Sequence, residues 1–236
     1  MEQDSSIQRV GAIASFGVAA SYLGTGIFAL LMPPELQGRL DISPHEFWMV
    51  LSRDPTAHLW FHWAWVSAGF FGLGAVPAIS LMVWQMHRGV VLWSGLAALL
   101  GFATHARSHL MEVAWDRKII SLYERADPAF QQAVHVVAGL ALDIPDGVLT
   151  YGAIGVWIFV VSVLARRVDG FPPSFAYLGY AAGLSLLVGM VGYSLLIRSF
   201  LVFSIGVGGF VLVPAWFLWA GLLLYSHMDN RLQVGG

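Results

Sequence analysis

The chain has 236 residues, 58% of them apolar and only 11% charged, with a formal net charge of −2. A soluble domain carries about 25% charged residues, so water is excluded as the solvent for most of this surface and the chain falls in the membrane class. Cysteine is absent. That removes disulfides, thiolate metal sites, Cys-ligated iron–sulfur clusters, covalent c-type haem and thiol catalysis together, and leaves His, Asp, Glu or Met to hold any metal. No basic run or stacking motif points to nucleic acid.

In chain order, the polar stretch Met1–Arg9 has two acids and no cationic start, unlike a cleaved signal peptide, so the first apolar run is expected to remain as an anchor. A bilayer span takes roughly 20 predominantly apolar residues. Hydropathy places such spans at about 10–32, 57–86, 89–111, 144–165, 173–197 and 200–226. Pro33 and Pro34 stop the first. Residues 33–56, with Glu35, Arg39, Asp41, Glu46, Arg53 and Asp54, are expected to form short interfacial helices. The turn around His87 makes the second and third spans antiparallel neighbours. Residues 112–143 hold an amphipathic stretch, a break at Asp127-Pro128, and an apolar segment able to lie on the membrane. Asp143-Ile-Pro-Asp146 reads as a helix start, with Asp143 as N-cap. Arg198, the one charge in residues 173–227, reads as the turn of the last hairpin, because an arginine at mid-bilayer costs several kcal/mol. Pro77 and Pro214 fall inside spans and predict kinks. The small-residue spacings Gly179-x-x-x-Gly183 and Ala20-x-x-x-Gly24 predict close helix packing.

The expected fold is therefore all-α, a single transmembrane domain over 1–236 with about six spans. Both long loops fall on one face. Both termini and the short loops fall on the other, where Arg9, Arg88, Arg166, Arg167 and Arg231 lie among few acids. Cation density in short segments puts that face in the cytoplasm of a cell (inner) membrane.

The unusual polar residues are two histidine pairs. His58 and His62 open the second span, and His105 and His109 close the third. Residues four apart share a helix face, and Glu112 and Asp116 continue the second stripe. Counting from the tight turn at about 1.5 Å per residue, with residues through Gln85 taken as helix, puts His62 about level with Glu112 and His58 with Asp116. His105 is the deepest. If the stripes face each other, they form a polar ladder descending from the long-loop face.

Imidazole and carboxylate suit zinc, copper or non-haem iron. The candidate ligands are His58, His62, His105, His109, Glu112 and Asp116, with Glu112 also a candidate general base. The competing reading has these histidines as headgroup-level anchors beside Trp60, Trp63 and Trp65. Haem remains an option only as a single group between the two pairs, since a spacing of four cannot serve two haem levels. Arg107 points away from His105 and His109 and is expected to pair with an acid or to snorkel, with an anionic headgroup or substrate as the alternative partner. His135 and His45 are weaker candidates, and His87 and His227 belong to the opposite face. No Walker loop, nucleophile elbow, His-Glu-x-x-His helix or dinucleotide fingerprint is present.

Arg9-Val-Gly-Ala-Ile-Ala at the first span, Ala106-Arg-Ser-His-Leu-Met-Glu112 at the third, Arg166-Arg167, and Phe171-Pro-Pro-Ser-Phe-Ala-Tyr-Leu-Gly-Tyr180 together carry a resemblance. In these the chain resembles a bacterial family of small six-span membrane proteins of unassigned activity. The resemblance spans most of the chain and implies the topology, not a mechanism. Three functions stay open: a metal site acting on or binding a small lipophilic molecule; a lipid-, pigment- or quinone-binding protein or structural subunit of a membrane complex or homo-oligomer; and a transporter. Membrane lipids are expected partners in all three.

Overall fold

A computed structural model describes residues 5–36, 43–123, 125–134 and 147–234, with the backbone alone at 5, 44 and 227–234. Among the described residues every regular element is helical: α1 (Ser5–Leu31), α2 (Pro44–Arg53), α3 (Thr56–Met82), α4 (Arg88–Tyr123), α5 (Ile154–Ala165), α6 (Pro173–Leu195), α7 (Arg198–Phe203) and α8 (Val213–Val234), with a short helix at 128–134. Two π-helical segments, π1 (Val148–Ala153) and π2 (Ser204–Leu212), lead into α5 and α8. The chain is a multi-pass, all-α membrane protein. Among the described residues six helices are long and apolar enough to cross a bilayer: α1, α3, α4, π1 with α5, α6, and α7 continuing through π2 into α8.

Most boundaries follow the local chemistry. Helix α1 stops before Pro33-Pro34, and Ser43 caps α2 by accepting the Glu46 N–H at 3.2 Å. The last hairpin turns at Leu196 and Ile197, with Leu196 left-handed at φ 54° and Arg198 exposed at the start of α7. Proline 214 lacks the N–H that an α-helix would pair. It lies two residues past the end of π2, near the start of α8.

Two boundaries differ from the hydropathy reading. Residues 83–86 form turns rather than helix, so α3 ends at Met82. Helix α4 does not end at the membrane surface. It runs unbroken to Tyr123, 36 residues or about 54 Å, because no helix breaker occurs before Asp127-Pro128. Its extension is held by burial: Ile119 and Tyr123 pack with Trp48 and Leu51 of α2 in a second apolar cluster. Helix α2 thereby caps the long-loop end of α3 and α4. The N-cap reading of Asp143 and Asp146, and the placement of His135, lie outside the described residues.

The main core is aromatic, with Trp157, Trp216, Phe102, Phe175 and Phe217 fully buried. Trp157 donates to Ser80 Oγ at 3.0 Å, tying α5 to α3. The predicted small-residue packing is present at Gly183, where an added Cβ would lie 2.8 Å from the Gly155 carbonyl. The contact that positions the site is at Gly69. A Cβ there would lie 2.8 Å from both the Ala106 nitrogen and the Phe102 oxygen. Helices α3 and α4 touch backbone to backbone beside His105, which brings short imidazoles within bonding reach.

Candidate functional site

The two stripes face each other. His58, His62 and Asp116 are buried, at 8%, 7% and 2% exposure, and lie close together. Nε2 of His58 is 2.9 Å from Oδ2 of Asp116 and 3.1 Å from Nε2 of His62. On its other side, Nδ1 of His62 lies 2.9 Å from Nδ1 of His109. The His109 ring is 4.6 Å from the His105 ring, centroid to centroid. A row of side chains therefore runs from Asp116 through His58, His62 and His109 to His105, bridging α3 and α4 down into the bundle.

The depth reckoning placed His62 beside Glu112, and the structure pairs it with His109. The turn at 83–86 accounts for this pair: measured from the helix ends at Met82 and Arg88, His62 and His109 both stand about 30 Å up their helices. His58 meets Asp116 as expected, although the same measure places Asp116 about 6 Å further up than His58, so the rise along the helices does not by itself set that contact. Glu112 is half-buried, and the converging donors are those of His58, His62 and Asp116 without Glu112, His105 or His109.

The histidines are turned inward, unlike headgroup anchors. Trp60 is 55% exposed, whereas Trp65 is buried, stacks on His109 at 5.7 Å and meets His105 edge-on at 4.9 Å. Trp65 was missed as a site residue, although a signal existed. Positions 58, 62, 65, 69 and 72 form one helical stripe of His, His, Trp, Gly and Gly. Above the site, Phe47 of α2 packs edge-on against His58 at 5.8 Å. His45 lies 3.3 Å from the Tyr123 hydroxyl, in the seam between α2 and α4. Arg107 occupies the exposed side of α4, away from the row. His87 is exposed at the opposite face, where its Nδ1 accepts the Val90 N–H at 3.4 Å.

Proton bookkeeping restricts what this row can be. A neutral imidazole has one N–H and one lone pair. Nε2 of His58 is approached by both an Asp116 oxygen and the His62 Nε2. As a hydrogen-bond chain with Asp116 ionised and His62 Nε2 unprotonated, the single His58 Nε2–H faces two acceptors. A cation among the three atoms would instead take a lone pair from each. Donors about 2.1 Å from an ion sit about 3.0 Å apart at right angles and about 3.4 Å apart at tetrahedral angles, close to the two short separations here.

The deepest residue has a different problem. Nε2 of His105 is buried and has no hydrogen-bond partner among the described residues. His105 instead lines a small internal cavity with Tyr22, Trp65, Thr150, Tyr151, Leu186, Ile205 and Gly209. No protein-family model, curated protein or solved structure matches this chain.

Proposed function

We propose that the protein is a metal-binding membrane protein whose site is His58 Nε2, His62 Nε2 and an Asp116 carboxylate oxygen. The observation that carries this reading is the double use of His58 Nε2, 2.9 Å from the carboxylate and 3.1 Å from a second imidazole nitrogen. Two imidazoles and a carboxylate are the donor set that suits zinc, copper(II) or non-haem iron. Three protein donors leave coordination positions open, so the site can admit an outside ligand rather than serve structure alone. With Nε2 of His62 on the metal, its Nδ1–H donates to His109 Nδ1, and that bond sets the tautomer and orientation of the ligand ring. Trp65 holds His109 in turn by stacking. Glu112, next along α4, is the candidate general base for a substrate reaching the site.

The site lies in the long-loop half of the spans, beneath α2, so a small lipophilic substrate can arrive from the bilayer or past α2. We place the protein in the cytoplasmic membrane with both termini inside, on the density of arginine at the short-loop face.

The test is elemental analysis of protein purified without chelator, with an absorption spectrum and titration by zinc, iron(II) and copper(II). About one equivalent per chain is expected, falling below one tenth in His58→Ala and in Asp116→Ala while the helical circular dichroism persists. A folded wild-type protein that takes up none of the three metals stoichiometrically overturns the reading.

A further inference from the structure

We propose that helix α2 is a gate over the imidazole row, past which the metal cation enters and leaves from the water side. The cargo rests on the metal-binding reading above, whereas the gate rests on how α2 is packed.

The donors need a route. His58, His62 and Asp116 are each less than one-tenth exposed, so an ion cannot reach them while the surrounding side chains hold still. Toward the middle of the bundle the way is shut. There His109 contacts His62, Trp65 stacks on His109, and α3 and α4 close backbone to backbone at Gly69. A cation does not travel through hydrocarbon either, because stripping its water costs far more than the bilayer returns. What remains is the long-loop end. The ring that stands over His58 there is Phe47 of α2, at 5.8 Å.

Helix α2 can move as a unit. Its buried residues Trp48 and Leu51 pack with Ile119 and Tyr123 in a cluster separate from the main core. Undocking α2 breaks that small cluster and leaves the aromatic core of the spans intact, which is a local opening and not global unfolding. The contact between the Tyr123 hydroxyl and Nδ1 of exposed His45 adds one long polar tie, at 3.3 Å. The joint to α3 is short and adjoins the site. Asp54 is extended at φ −148° and ψ 93°, Pro55 follows, and His58 lies in the first turn of α3. Phe47 stands about 10 Å along α2 from that joint. A small rotation at Asp54 therefore lifts its ring off His58 without moving the donors.

The absence of native cysteine allows a direct test. His62→Cys puts a thiol reporter beneath α2, and His58→Cys is the second reporter if the first loses its helical circular dichroism. The full-length protein in nanodiscs is treated with a cationic, membrane-impermeant methanethiosulfonate, and modification is timed by mass spectrometry. With α2 unaltered, the reaction is expected to be far slower than at exposed Glu46→Cys. Adding Leu51→Ala or Phe47→Ala should speed it more than about tenfold, since truncating a packed apolar side chain weakens its docking by over a decade. Gly89→Ala, at the opposite face, should leave the rate unchanged. In protein loaded with zinc, loss to excess chelator should proceed at a rate independent of chelator concentration. Leu51→Ala should speed loss and uptake by the same factor and leave the affinity unchanged, whereas a merely structural role for α2 would change the affinity. Rapid modification with α2 unaltered overturns the gate. So does a slow rate that neither α2 substitution raises, which assigns entry to the bilayer side of α3 and α4. A protein that takes up no metal removes the cargo, and the thiol reaction, read without metal, still decides the gate.

Discussion

His58 and Asp116 stand 58 positions apart in the chain and 2.9 Å apart in space, as a buried contact that joins α3 to the extension of α4. A carboxylate taken out of water needs a cationic or hydrogen-bonding partner, and Asp116 finds it in the imidazole that also meets His62. This contact is the upper end of the row, and losing it should be felt in both packing and ligand affinity.

His109 tests the supporting bond rather than the ligands. If His109 orients His62 through the 2.9 Å Nδ1 contact, His109→Leu should weaken metal affinity about 10–100-fold without abolishing it. A competition titration against a chromophoric chelator measures this. Affinity unchanged in His109→Leu would show that His62 is held by something else.

Gly69 is the spacer that sets the α3–α4 distance. Gly69→Val should cost about 1–3 kcal/mol through overpacking and pull the two imidazole pairs apart. Thermal unfolding and metal content are both expected to fall. Gly89→Ala, where an added Cβ meets nothing within 4 Å, is the matched control and should be silent.

Asp54 accepts the Thr56 N–H at 3.0 Å where α3 begins, and this bond holds its carboxyl below the usual carboxylate range. A folded-state pKa depressed in this way contributes stability above the unfolded value, about 3.9. That contribution is lost as pH falls through the lowered folded value. Asp54→Asn keeps an acceptor but removes the titration. Melting temperatures followed from pH 6 downward should therefore show wild type losing ground to Asp54→Asn only below about pH 4.

The topology predicts which sites share a side. With no native cysteine, single cysteines at Glu46 and Arg125 should react with a membrane-impermeant maleimide from one side, and those at Gly89 and Arg167 from the other. Labelling of Glu46→Cys and Gly89→Cys from the same side would break the six-span arrangement.

Composition and hydropathy were enough for the solvent and the number of spans, because a bilayer demands long apolar helices whatever their neighbours. Pro33-Pro34 and the hairpin at Arg198 were legible for the same reason, being local chemistry. The histidine stripes were legible too, since residues four apart share a helix face in any α-helix. Which partner each histidine meets was not legible. It depends on the rotation of α3 against α4 and on the turn at 83–86, whose four residues shift the register by about one helical turn. The close approach at Gly69, the roof made by α2, and the meeting of π1, π2, Tyr22 and His105 around one cavity arise between segments far apart in the chain. Packing alone decides them, because a span's sequence specifies which face is small or polar but not which neighbour fills it.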